Sequence, residues 1–474
     1  MVWRLNRIAG IPAFIVIVFY TLSLVKLIAR LNPEDDVIVR DEAPGISPVF
    51  ALADEEVVIG NTDPERDGNL PPATTTNSSL TSEVKMLHVL SYQRSGSSFV
   101  GRLFDAHPNA FFIYEPLSML FTALYGIMED RAIPNNIFFD HYGNFRNLSD
   151  DQSKLMTWTV RNIFECRLSE FPTAMLISNF WYRYQDTHMS IGKDYVKCME
   201  PARHLNFSGG DEGLGVCLEH IRKPCPRSYN TLDEGLLNRC RSILWHNDTW
   251  SDTDSDELWA PYEGQDFMKY RQNFRQYFTC LKSLEPRVRQ CARGHLDTPC
   301  KNAELRVVKT VRAPIELSRI LFEAYPDNFN LIHLLRDPRG VTLSRLRAEW
   351  AHGYFERQDP DPRVLSDSYC RNAQRDVDER QALEAEHGDH IKELVYDHFM
   401  GDLRGNGRSI FKMLGMEGSV RKINHIIEGK ADIERKDRWK TWLKLADIRA
   451  IEKACPWFMH SYNLTLYEEN RILQ

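Results

Sequence analysis

Apolar residues along this chain gather in short runs, and two of those runs open the same strand, turn and helix order. Met86-Leu87-His88-Val89-Leu90-Ser91-Tyr92 is nearly continuous in apolar character, which predicts a buried strand over 86–92. Polar residues follow it, and the apolar spacing over 97–106 then predicts a helix that Pro108 stops. A second apolar run at 110–114 ends at Glu115-Pro116. Runs at 305–311 and 328–335 predict two more strands, with a helix over 341–350 after the latter. Strands alternating with helices argue for an α/β domain with a mostly parallel central sheet. Near the end, Asp437, Trp439, Trp442, Leu445, Ile448, Ile451 and Cys455 fall at helical spacing, and core contact is the expected role of the apolar ones.

A different pattern occupies the N-terminus. Residues 11–25 read IPAFIVIVFYTLSLV, and the apolar character continues past Lys26 to Ala29. With Lys26 at the boundary, about 17–20 residues are enough to span a bilayer. Arg4 and Arg7 precede the run and an acidic stretch follows it, so the positive-inside rule predicts a cytosolic tail over 1–10, an anchor over 11–29 and a lumenal remainder. A cleaved signal peptide is the competing reading, but the run exceeds the usual h-region of about 7–15 residues. Residues 31–84 carry twelve acids against Arg40 and Arg66 and are rich in Pro, Ser and Thr, which predicts an extended acidic stem. A folded domain is then expected over 85–474, with insertions at about 117–300.

The net charge of −7 belongs to the stem, since residues 85–474 are close to neutral. A near-neutral domain lacks the broad basic field of a nucleic-acid binder, so any anion it holds must be held by a few local groups. All ten cysteines lie after residue 165 without C-x-x-C spacing, which favours disulfides over a structural zinc site and leaves their pairing open. N-x-[ST] sequons begin at Asn77, Asn147, Asn206, Asn247 and Asn463, as a lumenal chain would present them. No H-E-x-x-H pattern occurs, no metal is expected, and His88, His107 and His333 sit in apolar contexts as structural residues.

The candidate chemistry lies in the two turns. Gln93-Arg94-Ser95-Gly96-Ser97-Ser98-Phe99 joins the first strand to the first helix, where free backbone N–H groups and a positive dipole end favour an anion. Arg94 adds a cation and Ser97 and Ser98 add hydroxyls, but the GxxxxGK[ST] pattern is absent. Arg336-Asp337-Pro338-Arg339-Gly340-Val341-Thr342-Leu343-Ser344 repeats the order after the strand at 328–335, with Arg336 and Ser344 placed to clamp a phosphate. Two such sites at the carboxyl edge of one parallel sheet suit the two ends of a single nucleotide.

These two motifs, with Val100-Gly101-Arg102-Leu103-Phe104 and Tyr114-Glu115-Pro116 after the first and Arg345 after the second, resemble those of the Golgi carbohydrate 6-O-sulfotransferases. The resemblance covers roughly 85–120, 305–350 and, more weakly, 390–465, while the middle of the chain departs from the family pattern. It implies a P-loop-like α/β sulfotransferase domain behind a single N-terminal transmembrane helix and stem, in a type II protein of the Golgi membrane. It further implies 3′-phosphoadenylyl sulfate as co-substrate and transfer to the 6-hydroxyl of galactose, N-acetylglucosamine or N-acetylgalactosamine in glycoprotein or proteoglycan glycans. Residues 93–99 would hold the 5′-phosphosulfate and residues 336–344 the 3′-phosphate. The family's Tyr-Glu-Asp motif is altered here to Val395-Tyr396-Asp397-His398, which is assigned no role.

Sulfuryl transfer resembles phosphoryl transfer, so positioning and charge stabilisation should supply most of the rate. Arg94 is expected to stabilise the leaving 5′-phosphate, and Glu115, at the end of the strand over 110–114, is the candidate general base. Its alternative role is a structural carboxylate paired with a nearby Arg. Lys309 and Arg312 are further candidates for contact with the donor or an acidic glycan. Two rival functions remain open at this level. One is another nucleotide-dependent glycan transferase, for which Asp252-Thr253-Asp254 is a formal D-x-D match; the other is a glycan-binding protein without catalysis.

Overall fold

A computed structural model describes residues 84–120, 150–184, 188–203, 279, 281–311, 313–347, 361–417 and 437–467. The expected anchor over 11–29, the stem up to residue 83, the D-x-D match, Arg312 and all sequons but Asn463 lie outside the described residues. No helix among the described residues is long and apolar enough to cross a membrane.

Five strands form one parallel sheet: β1 (Lys85–Ser91), β2 (Ala110–Tyr114), β3 (Leu305–Thr310), β4 (Phe329–Leu335) and β5 (Ile391–Val395). Their order is β2-β3-β1-β4-β5. β1 and β4 are covered on both faces, which explains why they read as nearly continuous apolar runs and not as alternation. The polar side chains inside them find partners. His88 meets Ser318 Oγ at 2.9 Å and Thr310 Oγ1 at 2.8 Å, and Asn330 donates to the Asn328 carbonyl at 3.1 Å. Burial pushes both His88 and His333 down to about 3, so they stay neutral in the core.

Helices connect and cover the sheet: α1 (Ser97–Asp105), α2 (Asp150–Phe164), α3 (Glu316–Ala324), α4 (Pro338–Leu346) and the long α5 (Pro362–His387). After β5 come α6 (Tyr396–Phe399), α7 (Leu403–Met413), α8 (Trp439–Trp442), α9 (Leu445–Ala454) and α10 (Pro456–Ser461). Two expectations need correction. α4 begins at Pro338 and not near Val341, because Asp337 accepts the Arg339 N–H at 2.9 Å as an N-cap and proline fits the first helical position. The C-terminal helix is broken between Trp442 and Leu445, where Leu443 and Lys444 are extended. Trp439, Ile448, Ile451 and Cys455 are buried as expected, but Trp442 is 50% exposed, with the Arg347 guanidinium 3.6 Å from its ring centroid.

Disulfides join Cys166 to Cys300, Cys198 to Cys291 and Cys370 to Cys455, and no described cysteine is free. The last one ties α5 to the end of α9 beside the second anion loop's helix.

The strand order decides where a ligand would sit. From β1 the chain runs through α1 to β2 on one side, and from β4 it runs through α5 to β5 on the other. Neighbouring strands β1 and β4 therefore send their following segments apart, and the carboxyl ends of such a strand pair are where open parallel sheets take their ligands.

Candidate active site

The loop after β1 is held in a conformation that few residues adopt. Arg94 has φ 70° and Gly96 φ 90°. At Gly96 a side chain would also overlap the ring of Tyr396, so both the backbone angle and the available space require glycine. Ser95 closes the turn, its N–H donating to the Tyr92 carbonyl at 3.1 Å. α1 then starts at Ser97 with no side-chain cap; the Phe99 and Val100 N–H groups donate back to the Gly96 carbonyl at 3.0 and 3.4 Å, which leaves those of Ser97 and Ser98 without an acceptor in the helix. Ser98 Oγ lies 2.9 Å from the Tyr114 hydroxyl. Phe99 turns into the core, edge-on to Phe399 at 6.3 Å between ring centroids.

Arg336 and Arg339, three residues apart in the second loop, play opposite parts. Arg339 is buried, its Nη2 2.7 Å from Asp337 Oδ2 and its Nη1 2.7 Å from Glu452 Oε1, with the guanidinium 3.9 Å from the Trp439 ring centroid. With two carboxylates already on it, Arg339 is a structural cation that locks α4 to the C-terminal helices. Arg336 makes no ion pair among the described residues. Its Nη1 donates to the Arg94 carbonyl at 3.0 Å, while its Nε is buried without a hydrogen-bond partner. Gly340 lets the guanidinium approach, since a Cβ there would stand 3.0 Å from Arg336 Nε. Ser344 Oγ accepts from Arg94 Nε at 2.7 Å, joining the two loops directly. Pro338, Val341 and Thr342 are buried within the helix's inner face, and Leu343 is half-buried.

Glu115 follows β2 and carries φ 48°. Among the described non-glycine residues only Arg94, Glu115, Cys166 and Asn463 have positive φ, and two of those are candidate site residues. The Glu115 N–H donates to the Lys309 carbonyl at 2.7 Å, and its Oε1 takes the Lys309 Nζ at 2.8 Å. Lys309 is fully buried, with its ammonium 3.6 Å from the Tyr114 ring centroid. Lys309 is thus a counter-charge of Glu115, a lysine where the alternative reading of that carboxylate had an arginine.

Residues to which sequence reasoning gave no part in the site brace these loops from behind. Tyr369 OH donates to the Arg336 carbonyl at 2.8 Å, and Asp397 Oδ2 accepts the Asp337 N–H at 2.8 Å. Behind the first loop, Tyr92 OH donates to Asp376 Oδ2 at 2.7 Å and meets His333 Nε2 at 3.0 Å. Burial pushes the Asp376 carboxyl up to about 6 against the opposing pull of Arg375. Removal from water and the nearby Asp337 likewise push Asp397 up to about 6, with Arg336 pulling the other way. The one sequence signal for Tyr396 and Asp397 was their place in the altered Tyr-Glu-Asp motif, to which no role was assigned. No group of three or more His, Cys, Asp or Glu residues suited to a metal occurs among the described residues.

No family model matches the chain. Over 68 residues it is 43% identical to carbohydrate sulfotransferase 7 of Rattus norvegicus and 41% identical to the Mus musculus protein of that name. That stretch is 14% of this chain and 13% of the length of either relative. Among solved structures, the sulfotransferase domain of the Synechococcus PCC 7002 olefin synthase aligns with 83% of this chain and all of its own at 13% identity and a TM-score of 0.33. Sulfotransferase STF9 of Mycobacterium avium aligns with 81% of this chain and 78% of its own at 13% identity and a TM-score of 0.30.

Proposed function

We propose that this chain transfers a sulfuryl group from 3′-phosphoadenylyl sulfate to the 6-hydroxyl of galactose, N-acetylglucosamine or N-acetylgalactosamine in a glycoprotein or proteoglycan glycan. The observation that carries the reading is the meeting of two anion loops at the carboxyl ends of β1 and β4, where Arg94 Nε reaches Ser344 Oγ at 2.7 Å. The donor fits these residues. Arg336 has a buried Nε without a partner, and the first turn of α1 presents free N–H groups beside Arg94. The local likeness to carbohydrate sulfotransferases supports both the reaction class and a glycan acceptor.

In this reading the donor supplies an activated sulfuryl group. The α1 N-terminus, Ser97, Ser98 and Arg94 bind its 5′ end and offset the charge that grows on the leaving phosphate. Arg336 and Ser344 bind its 3′-phosphate. Glu115 takes the proton of the sugar hydroxyl, with Lys309 holding its carboxylate in place through the contact at 2.8 Å. The chain is anchored in the Golgi membrane through residues 11–29 with its catalytic part lumenal, a compartment in keeping with the three disulfides. No resident metal is invoked.

The test is transfer of labelled sulfate from 3′-phosphoadenylyl sulfate to desulfated keratan, chondroitin and N-acetylglucosamine-ended glycans, with the labelled carbon mapped. Label at C6 of one sugar is expected. Arg94→Ala and Arg336→Ala should each weaken adenosine 3′,5′-bisphosphate binding by about 10–100-fold, the worth of one charged hydrogen-bond set. Folded protein that binds neither donor nor bisphosphate would overturn the proposal.

A further inference from the structure

The segment after β5 reaches both anion loops, although it belongs to neither. β5 pairs with β4 so that Val395 stands opposite Leu335, and the parallel register then carries Tyr396 and Asp397 out beside Arg336 and Asp337. Tyr396 is 4% exposed. One part of its ring fills the space where a Gly96 side chain would be, and the Arg336 guanidinium carbon lies 4.8 Å from its centroid. Tyr396 therefore touches the turn of the first loop and the free cation of the second. Asp397 fixes the backbone of the second loop by accepting the Asp337 N–H at 2.8 Å.

The hydrogen bond falls where it governs aim. Asp337 is the residue between Arg336 and the start of α4, and its own carboxylate is spent on the Arg339 N–H and guanidinium. Its backbone N–H is then the handle by which β5 sets the direction in which Arg336 leaves the strand. The Tyr369 hydroxyl holds the neighbouring peptide from α5, accepting the Arg336 N–H at 3.0 Å. The second loop is thus gripped from two elements while its guanidinium stays unpaired among the described residues.

We propose that Tyr396 and Asp397 are positioning residues that hold Arg336 ready for the donor's 3′-phosphate and keep it in register with the Gly96 turn. The inference rests on the donor-binding reading above and goes beyond it by assigning the 3′-phosphate preference to two residues that need not touch the donor. Position, and not negative charge, is what Asp397 supplies. A neutral acceptor of the same shape serves as well, because a carboxylate so near Arg336 also competes with an incoming phosphate.

The experiment is calorimetric titration of the full chain with adenosine 3′,5′-bisphosphate and, separately, adenosine 5′-monophosphate. The ratio of the two affinities isolates the 3′-phosphate. Asp397→Ala and Tyr396→Leu should shrink that ratio by about tenfold or more, while Asp397→Asn and Tyr396→Phe keep it within about threefold. A general loss of stability lowers both affinities together and leaves the ratio unmoved, so the ratio separates positioning from a merely structural role. Should Asp397→Ala fail to fold, Tyr396→Leu reads the same ratio. An unchanged ratio in folded Tyr396→Leu or Asp397→Ala overturns the inference, as does an Asp397→Asn protein that behaves like Asp397→Ala. A wild-type chain that binds the bisphosphate no better than the monophosphate overturns the donor reading, and this inference with it.

Discussion

Removing the charge of Glu115 tests both the site and its chemistry. Its Oε1 lies 2.8 Å from an ammonium that is fully buried, while the Glu115 side chain keeps 11% of its surface in contact with solvent. At an effective dielectric of ~20 the direct attraction is about 6 kcal/mol, most of which desolvation offsets. Glu115→Gln replaces the carboxylate beside the buried Lys309 ammonium by an amide, and should cost about 3–5 kcal/mol of unfolding free energy. Lys309→Met leaves a carboxylate that still reaches water, and should cost less, about 1–3 kcal/mol. The double variant removes both charges, so its cost should fall below the sum by about 3 kcal/mol. Denaturant unfolding of the four proteins gives the cycle. If Glu115 is the base, Glu115→Gln also lowers kcat by about 10²–10⁴-fold with bisphosphate affinity retained. Additive costs in the cycle would refute the coupling, and wild-type turnover in Glu115→Gln would remove it as base.

Three further outcomes follow from other parts of the structure. Gly96→Ala forces φ 90° on a residue with a Cβ and drives that Cβ into Tyr396, so it should cost about 2–5 kcal/mol and weaken bisphosphate binding, as thermal unfolding and titration would register. Asp376 binds its proton more tightly folded than unfolded, since burial pushes its carboxyl up to about 6 from an ordinary value near 3.8. Stability from this group is therefore fully present below the unfolded value and falls as pH rises from about 4 to 6, by roughly 3 kcal/mol. Asp376→Asn should flatten that part of the pH–stability curve, and identical curves for the two proteins would refute the assignment. Replacing Cys370 and Cys455 by serine releases a link across 85 residues between α5 and α9, and should cost about 2–5 kcal/mol by denaturant unfolding under non-reducing conditions.

The amino-acid sequence alone determined the parts whose physics is local. β1 and β4 were legible because a strand buried on both faces is apolar along most of its length, and the turns after them because two arginine-bearing turns, each between a strand and a helix start, together suit an anion. Helix α5 was less legible, since only ten of its 26 residues are buried and its surface is heavily charged. Sequence singled out Arg336 over Arg339 by its place at the strand's end, but what Arg339 does instead was decided by tertiary structure, since Glu452 reaches it from 113 residues away. The same holds for Glu115, whose lysine partner is 194 residues distant and was separable from an arginine only once β2 and β3 were seen side by side. Tyr396 and Asp397 were visible in sequence as an altered motif but without a role, because their part depends on β5 pairing with β4 in a register that local propensity does not specify. Strand order is what places the two anion loops together, and strand order is a property of long-range burial that no local pattern encodes.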